Sequence, residues 1–300
     1  MTFDVVGFGA LNLDKLFKVN MIAKEEEESF IMDFKESAGG SAANTIVGLA
    51  RLELRTGFIG KVKADREGTF ILDDLKNENV DVNGVIVSRA GRSGTVMGYI
   101  DPKGDRALYV DSGVNDQLDF HDIHLDYVST AEIVHLSSFV GDKPFSAQKT
   151  LIEQLSGVNF CFDPGSLYAR KGLDSLKPII KESYAMFPNE IETRLLTGRN
   201  YKEGAKAFIK LGANIVAVKL GKKGCYVTDG NESHMIEAYP VKAVDTTGAG
   251  DAYCAGFIYG IIKGNDLFEC GRLGNFVAAC CVSALGARTG LPRLAHLKDV

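Results

Sequence analysis

The stretch "VDTTGAGDAYCAGFIYG", residues 244–260, decides how this chain folds and where its chemistry lies. Several small residues directly precede Asp251, and an apolar run of helical character follows it. The backbone of residues 248–250 can adopt the open form of an anion-binding nest, and the helix that begins there adds its positive end. We therefore expect Gly248, Ala249 and Gly250 to form an anion hole that stabilises charge on a phosphoryl group.

Asp251 stands directly beside this expected anion site. A carboxylate next to a phosphate is electrostatically unfavourable, which argues against a purely structural purpose. In phosphoryl transfer, an acceptor is needed for the proton of the attacking hydroxyl. We therefore interpret Asp251 as a general base. An acid that only satisfies the helix dipole in the first turn remains the alternative.

The composition limits the class of protein. The chain has 300 residues, 45% hydrophobic and 24% charged, which is typical of a globular protein. The length fits one large domain, or one domain plus a small appendage. The net charge of −5 predicts no basic face and argues against nucleic acid as a partner. The first residues lack the basic start of a signal peptide, and no apolar run approaches the ~20 residues that span a bilayer. We expect a cytoplasmic protein without membrane contact, whose six cysteines are buried free thiols.

Strand-like and helix-like segments alternate along most of the chain. Residues 3–10 form a short apolar run that ends in glycines, as in a buried strand, and residues 41–54 have apolar positions at helical spacing. Repetition of this unit predicts one domain over residues 1–300, with a mostly parallel sheet between two layers of helices. Two strand-rich patches, at about 15–36 and 93–111, break the alternation. We expect them to form a small β-sheet lid over the main domain.

The end of the first strand supplies a second set of candidate residues. Gly7 and Gly9 match the start of a dinucleotide-binding Gly-x-Gly-x-x-Gly pattern, but Asn12 replaces its third glycine, which argues against a nicotinamide or flavin enzyme. Asn12 and Asp14 instead follow the strand to the carboxyl edge, where open α/β sheets bind ligands. An aspartate there can accept hydrogen bonds from two adjacent sugar hydroxyls. A turn-forming Asn and a surface Asp remain the plain alternative.

A pair of glycines precedes the next helix in "SAGGSAAN", residues 37–44. Gly39 and Gly40 let the backbone approach a ligand closely, and the helix start offers free N–H groups. Asn44 adds both a donor and an acceptor one turn later. A simple Gly-Gly turn is the alternative. The sequence contains no Gly-x-x-x-x-Gly-Lys-Ser/Thr phosphate loop.

The segments "AGGSAAN" and "DTTGAGD" closely resemble, in the usual order, the two signature patterns of the ribokinase-like (PfkB) carbohydrate kinases. "PNEIE" at 188–192 resembles the Asn-x-x-Glu motif of that family, and "KLGKKG" at 219–224 resembles its glycine-bearing nucleotide-phosphate loop. "SGVN" at 112–115 is similar to a further family segment. The resemblance covers essentially the whole chain. It implies the ribokinase-like three-layer α/β/α fold, with a mostly parallel central sheet and a small β-sheet lid.

The resemblance also implies an activity: an ATP-dependent kinase that transfers the γ-phosphate to a hydroxymethyl group of a sugar or sugar-like substrate. It assigns Asp251 as the base and residues 248–250 as the anion hole. The residues it implies for the acceptor are Asn12, Asp14, Gly39, Gly40 and Asn44. The residues it implies for ATP are Asn189, Lys219, Gly221, Gly224 and Asn275. Asn189 and Glu192 would organise Mg²⁺, largely through water, and Asp245, Thr247 and Gly286 resemble a monovalent-cation loop, which makes K⁺ a candidate.

The identity of the acceptor stays open at this stage. Ribokinases proper carry a sugar-binding glutamate near the end of the strand "EIVHLSSF", where this chain has about Ser137 and Ser138, so ribose itself is in doubt. "FDPGS" at 162–166 is similar to some prokaryotic nucleoside kinases. A nucleoside kinase that acts on the ribose 5'-hydroxyl is therefore the alternative, and a non-catalytic sugar or nucleotide sensor is a remote one. An open edge of the lid sheet also suggests a homodimer formed lid to lid.

Overall fold

The computed structural model describes residues 2–103 and 105–299. Its strands, in chain order, are β1 (Phe3–Phe8), β2 (Asn12–Val19), β3 (Ile31–Gly39), β4 (Thr56–Lys63), β5 (Val80–Asp81), β6 (Val85–Ser88), β7 (Gly94–Ile100), β8 (Arg106–Asp111), β9 (Ala131–Ser137), β10 (Asn159–Asp163), β11 (Ser183–Met186), β12 (Ile215–Lys219), β13 (Cys225–Thr228) and β14 (Ser233–Ile236). Its α-helices are α1 (Ser41–Arg51), α2 (Arg66–Asn77), α3 (Leu125–Val128), α4 (Asp142–Gln154), α5 (Gly165–Ala169), α6 (Leu173–Lys181), α7 (Glu190–Thr197), α8 (Tyr201–Leu211), α9 (Ala249–Ile262) and α10 (Leu267–Val282). Short 3₁₀ helices cover Gly113–Gln117, Phe120–Asp122, Gly221–Lys223 and Leu294–Asp299.

The central sheet is mostly parallel. Its strand order is β14-β13-β12-β11-β10-β9-β1-β4-β5, and β6 pairs with the later half of β4. Neighbours from β12 through β5 run parallel, whereas β13 and β14 form an antiparallel edge. Parallel strands joined through helices end at the same edge of the sheet. The turns that follow β1, β9, β10, β11 and β12 therefore converge at one edge, where ligands bind in open α/β sheets.

Helices cover both faces of this sheet, and each face has its own apolar core. On one face, Ile46 of α1 and Val277 of α10 belong to one core with buried sheet residues. On the other face, Leu151 of α4 and Phe208 of α8 belong to a second core. A sheet covered on both faces needs strands that are apolar on both sides, which the nearly continuous apolar runs of this sequence provide. The predicted three-layer α/β/α architecture is confirmed.

The turn before α9 shows why its sequence is glycine-rich. Gly248 caps the helix with a φ of 77°, in the left-handed region that favours glycine. A Cβ at this position would lie 2.6 Å from the Cβ of Ala287, so lack of space also requires glycine. The helix that follows buries Tyr253, Cys254 and Phe257. The stretch 244–260 thus forms a tight turn followed by a largely buried helix, as its pattern predicts.

A separate four-stranded sheet has the order β3-β2-β7-β8. Side chains alternate between its faces. One face carries a cluster in which Phe17 stacks on Phe34 and Tyr99, with ring centroids 4.8 and 5.2 Å apart. The same face is tied to α2, because Lys15 pairs with Glu67 at 2.8 Å. The small sheet expected from the fold class is therefore present beside the central one, and Asp14 lies on the face opposite the aromatic cluster.

Two expectations from composition can be compared with the structure. In residues 2–103 and 105–299, no helix combines the length and apolar character needed to cross a bilayer. All six cysteines are free thiols, and all but Cys280 are buried. Burial raises the pKa of Cys225 to about 11, so this thiol stays protonated near neutral pH.

Candidate active site

Asp251 lies in the first turn of α9, where it lines a cavity of about 810 Å³. Ala249 and Gly250 line the same cavity. The geometry of a helix start leaves the N–H groups of Gly250 and Asp251 without intrahelical partners. The positive end of the helix, these N–H groups and a carboxylate therefore meet at one point of the cavity wall.

The carboxylate of Asp251 is held by α1. Nδ2 of Asn44 donates to Oδ2 of Asp251 at 2.8 Å, and Oγ1 of Thr45 donates to the backbone carbonyl of Asp251 at 3.1 Å. Burial raises the pKa of Asp251 to about 7, against the lowering effect of the Asn44 hydrogen bond. A general base works best when its pKa lies near the working pH. The environment of Asp251 therefore suits proton transfer near neutrality.

A buried ion pair lies beside the start of α9. Nζ of Lys219 is 2.5 Å from Oδ2 of Asp163, and the two side chains are only 13% and 9% exposed. A Cβ on Gly250 would lie 3.3 Å from this Nζ, so the ammonium stands next to the backbone of Gly250. Burial lowers the pKa of Lys219, but the charge of Asp163 outweighs it and the pKa stays above its usual range. Lys219 therefore carries a permanent positive charge beside the start of α9.

Asn189 and Glu192 open α7 as a reciprocal capping box. Oδ1 of Asn189 accepts from the backbone N–H of Glu192, and Oε2 of Glu192 accepts from that of Asn189, both at 2.8 Å. Both residues line the cavity. Burial, and next the charge of Asp163, raise the pKa of Glu192 to about 6.

These oxygen donors fit Mg²⁺ that is held through water. Mg²⁺ dehydrates reluctantly and is commonly bound by one or two protein carboxylates together with waters and phosphates. Among the described residues, no three acids, histidines or cysteines form a cage for a metal ion. Asn189 and Glu192 at the cavity wall therefore suit an ion shared with a phosphate chain.

Part of the cavity wall is largely apolar. It is formed by Tyr239, Pro240, Val241, Ala278, Ala279 and Val282. Buried Asn275 supports this wall, because its Nδ2 donates to the carbonyls of Ile236 and Glu237 at 3.1 and 3.0 Å. Gly221 and Gly224, with φ of 59° and 91°, also line the cavity. Apolar walls with a few polar groups are typical of a pocket for a small molecule.

Asp14 and the glycine pair lie where the small sheet meets the start of α1. A Cβ on Gly39 would lie 2.3 Å from Oδ2 of Asp14, so only glycine leaves room for this carboxylate. Gly40 has a φ of 114° and caps α1. Burial raises the pKa of Asp14 to about 6, against the opposing charge of Arg288. Asp14 is not among the residues that line the cavity with Lys219, and its contact with a substrate stays a prediction.

Asn12 is engaged within the protein. Its Oδ1 accepts from Nδ2 of Asn115 at 3.0 Å, and Asn115 also exchanges hydrogen bonds with the backbone of Leu11. Oγ of Ser137 accepts from the backbone N–H of Ala42 at 3.1 Å. These bonds fix the turn after β1 and the start of α1. Contact of Asn12 with an acceptor stays a prediction.

Asp245, Thr247 and Gly286 come together in one loop cluster. Oδ1 of Asp245 accepts from N and Oγ1 of Thr247 at 2.9 and 2.8 Å, and Oδ2 accepts from N of Gly286 at 2.9 Å. Burial raises the pKa of Asp245, but these bonds outweigh it and the pKa lies below its usual value. The carboxylate is therefore fixed and ionised, and a cation at this loop stays a prediction.

Comparison with known proteins identifies the family to which the chain belongs. A family model described as the pfkB family carbohydrate kinase matches residues 3–294. The chain belongs to the pfkB family of carbohydrate kinases. This kinase is 44% identical to a sugar kinase of Archaeoglobus fulgidus over 250 residues, which are 82% of this chain and 99% of that protein. It is 32% identical to a 5-dehydro-2-deoxygluconokinase of Clostridium perfringens over 316 residues, which cover 99% of this chain and 92% of that one.

A solved structure extends the likeness to three dimensions. Arabidopsis thaliana ribokinase, in a complex with ribose and ATP, matches this kinase with a TM-score of 0.89 at 25% identity. The match covers 100% of this chain and 98% of that chain. The predicted ribokinase-like fold and family are confirmed. The kinase is accordingly a phosphotransferase with an alcohol group as acceptor.

Reasoning from sequence missed two side chains of this site. Nε of Arg288 donates to Oδ1 of Asn44 at 2.8 Å. Asp163 was interpreted only as part of the "FDPGS" substrate signal, but its carboxylate binds Lys219. The available signals were an arginine two residues after Gly286 and an aspartate at the end of a buried strand. Neither signal indicates which side chain the residue contacts.

Proposed function

We propose that this kinase transfers the γ-phosphate of ATP to a hydroxymethyl group of a sugar-like acceptor, with Asp251 as general base. The observation that carries the proposal is a convergence of three groups around one point. These groups are the carboxylate of Asp251, the N terminus of α9 and the ammonium of Lys219. A γ-phosphate that meets a hydroxyl at this point has a proton acceptor on one side and positive charge on the other.

The chemistry of the step follows from these positions. Oδ2 of Asp251 is occupied by Asn44, so the second carboxylate oxygen takes the hydroxyl proton while the new oxygen–phosphorus bond forms. The bond between the γ-phosphorus and the bridging oxygen breaks, and ADP leaves with that electron pair. The N–H groups of Gly250 and Asp251, together with Lys219, stabilise charge on the transferred group. The proton held by Asp251 passes to solvent after the product leaves.

We assign the cavity to the nucleotide. The apolar wall beside Asn275 contacts adenine, and Gly221 and Gly224 let the backbone approach the phosphates. Mg²⁺ at Asn189 and Glu192 would neutralise charge on the phosphate chain when bound. ATP as donor is supported by the Arabidopsis ribokinase, whose structure holds ATP. The loop of Asp245, Thr247 and Gly286 is our candidate site for K⁺.

We infer that the acceptor binds between Asp14 and Asn44, beneath the small sheet, which acts as a lid that excludes water. Lys35 lies on the lid face that carries Asp14, and its Nζ would be 4.0 Å from a Cβ on Gly286. The charge of Arg106, from the same sheet, reaches Asp245. Both cations belong to the lid and lie near the loop of Asp245 and Gly286, and we infer that they favour an acceptor with a carboxylate.

A sugar acid is therefore our preferred acceptor, and the Clostridium relative named 5-dehydro-2-deoxygluconokinase supports this choice. The nucleoside alternative loses part of its basis, because Asp163 of the "FDPGS" segment is engaged by Lys219 on the phosphate side. It remains the second candidate because the acceptor side still contains an aspartate that can bind two ribose hydroxyls.

A coupled assay of ADP formation tests the proposal. The purified kinase is given ATP and Mg²⁺ with a panel of neutral sugars, sugar acids and nucleosides, and phosphorus NMR locates the new phosphate. We expect turnover to be fastest with a sugar acid and the product to be a phosphomonoester of its hydroxymethyl group. Turnover of nucleosides alone would select the alternative. Binding of panel members without ADP formation from any of them would select the sensor.

Asp14→Ala is expected to weaken acceptor binding by roughly 10²-fold while ATP affinity stays within a few-fold. The carboxylate is expected to accept two charge-assisted hydrogen bonds, each worth ~1.5–3 kcal/mol, and each ~1.4 kcal/mol is a factor of ten in affinity. Calorimetric titration of each ligand separately at about pH 8, where Asp14 is ionised, measures both effects.

A matched control for this substitution is Asp33→Ala. Asp33 is exposed on the same small sheet and pairs with Lys18. Its removal should leave both affinities unchanged. If Asp14→Ala abolishes ATP binding and spares the acceptor, the two halves of the site are assigned the wrong way round.

The outer face of the lid is where we place the proposed homodimer contact. Phe34 of the aromatic cluster and Tyr109, which packs edge-on against Tyr99, are exposed on the edge strands β3 and β8. Exposed aromatic surface of this kind commonly marks a contact with another protein. A cytoplasmic location likewise stays a prediction.

A further inference from the structure

We propose that Arg288 is a positioning residue for the general base, acting through a chain of side chains that runs Asp74–Arg288–Asn44–Asp251. Arg288 fixes the amide of Asn44 so that its N–H groups, and not its oxygen, face Asp251. The inference rests on the proposed role of Asp251 in catalysis. It assigns a part in the reaction to two residues, Asp74 and Arg288, that lie outside the signature motifs.

The hydrogen bonds run through four different elements of the fold. Nη1 of Arg288, in the loop after α10, donates to Oδ2 of Asp74 on α2. Nε of the same guanidinium donates to Oδ1 of Asn44 on α1 at 2.8 Å. Nδ2 of Asn44 donates to Oδ2 of Asp251 on α9 at 2.8 Å. The two middle side chains, Arg288 and Asn44, are thereby each held on both sides.

The chemistry of the amide makes the direction of this chain obligatory. A guanidinium only donates hydrogen bonds, so it can bind only the oxygen of Asn44. That choice turns the amide nitrogen toward Asp251, whose ionised carboxylate only accepts. Without Arg288, the amide can rotate by half a turn and place its oxygen against the carboxylate. This arrangement repels the charged form of the base and releases it from its position.

The fixed amide leaves Asp251 with one occupied oxygen and one available oxygen. The available one is then the atom that takes the hydroxyl proton. The charge of Arg288 also lowers the pKa of Asp251 and so favours the ionised carboxylate, which can accept a proton. The charged and titratable groups around Asp251 are Asp163, Lys219, Cys254, Cys281 and Arg288. Of the two cations, Arg288 is the one joined to Asp251 through Asn44.

A purely structural role does not account well for Arg288. Its side chain is only 11% exposed, and within the described residues its buried Nη2 has no hydrogen-bond partner. Burial lowers the pKa of the guanidinium, against the raising effect of the charges of Asp74, Asp14 and Glu78. A buried charge with an unsatisfied donor costs free energy, and well-packed apolar side chains commonly replace such groups without loss of stability. The hydrogen bond from Nε to Oδ1 of Asn44 explains why position 288 has a guanidinium.

The test compares Arg288→Met with a matched control, Lys61→Met. Lys61 is 12% exposed and pairs with Asp122 at 2.7 Å. Its replacement therefore also removes a buried cation from an acidic partner. We expect Arg288→Met to lower kcat by about 10- to 100-fold, with KM for ATP within a few-fold, because the base is misplaced. Carbon-13 NMR of the Asp251 carboxyl should show its titration midpoint displaced to higher pH. Lys61→Met should change neither quantity.

Two milder variants keep the test decisive if Arg288→Met does not fold. Asp74→Asn removes the charged anchor of Arg288 while preserving size, so the guanidinium is held less firmly and kcat should fall, by less than in Arg288→Met. Arg288→Lys keeps the charge but not the planar fork of donors, so it should restore the midpoint more than it restores kcat.

The outcome that overturns the inference is a folded Arg288→Met with wild-type kcat and an unmoved Asp251 midpoint, or a folded Asp74→Asn with wild-type kcat. Equal loss of kcat in Lys61→Met would also overturn it. A wild-type protein that turns over no acceptor, but whose Asp251 midpoint still moves in Arg288→Met, would refute the proposed reaction and keep the positioning contact.

Discussion

Replacing Asp251 by asparagine is expected to lower kcat by ~10²–10⁴-fold while both ligands still bind. The amide oxygen of the new side chain can accept the hydrogen bond from Asn44, so the local structure is preserved. It cannot take a proton from the attacking hydroxyl, so the transfer step loses its base. Steady-state kinetics, together with calorimetric titration of ATP and acceptor, measure the two consequences separately. A variant that retains more than about a third of the wild-type kcat would show that Asp251 only caps α9.

The pH dependence gives this prediction a second readout. Burial raises the pKa of Asp251 to about 7, so the base is protonated and inactive below that pH. The value of kcat/KM for the wild-type kinase should therefore rise with pH up to about 7 and then level off. The residual activity of the Asp251→Asn variant should lack this rise. A wild-type profile that is flat between about pH 5 and 8 would contradict the role of Asp251 as base.

As pH rises, the contribution of Asp251 to stability should fall while activity increases. The folded chain holds the Asp251 proton between its ordinary pKa of 3.8 and about 7, where the unfolded chain has released it. The contribution of this group to the free energy of unfolding therefore falls as pH rises through that window and is level above it. Asp251→Asn removes the dependence, so the variant should gain stability relative to wild type at about pH 8 compared with about pH 5. Thermal unfolding of both proteins at the two pH values measures this difference.

Local patterns explain why the fold and much of the site could be predicted from the sequence. Gly248 is required by the backbone of its own turn, and the apolar spacing after it is the pattern of a buried helix. Asn189 and Glu192 are three residues apart, the spacing of a capping box, and the structure shows both of its hydrogen bonds. Such features depend on neighbours within one or two turns of chain. A single sequence therefore contains the information that is needed to predict these local features.

Contacts between distant segments could not be predicted in this way. Arg288 and Asn44 are 244 residues apart, and their contact exists only because the loop after α10 packs against α1. Asp163 and Lys219 are 56 residues apart and meet because β10 and β12 end at the same sheet edge. Periodicity and turn signals specify elements but not which side chains face each other across them. The charged side chains around Asp251 were therefore the part of the candidate site that required the structure.

Lys219→Met is expected to lower kcat by ~10²–10³-fold, the usual loss when one donor to a developing charge is removed. The ammonium stands beside the backbone of Gly250, where charge on the transferred group must be stabilised. Methionine keeps most of the apolar stem but brings no charge. ATP affinity should fall less than kcat, because the apolar wall proposed for adenine and the glycine turns remain. Steady-state kinetics and ATP titration on the folded variant measure the two effects.

A double variant separates the charge of Lys219 from its role as partner of Asp163. Breaking a buried ion pair by removing one partner typically destabilises a protein by about 3–5 kcal/mol, and here it leaves Asp163 unpaired close to the phosphates. Adding Asp163→Asn removes that carboxylate charge, so the double variant should regain stability relative to Lys219→Met. Its kcat should nevertheless stay near that of the single variant, because the ammonium is still missing. If kcat returns to the wild-type value with stability, Lys219 serves only to neutralise Asp163, and the positive charge for transfer comes from α9 and the metal ion alone.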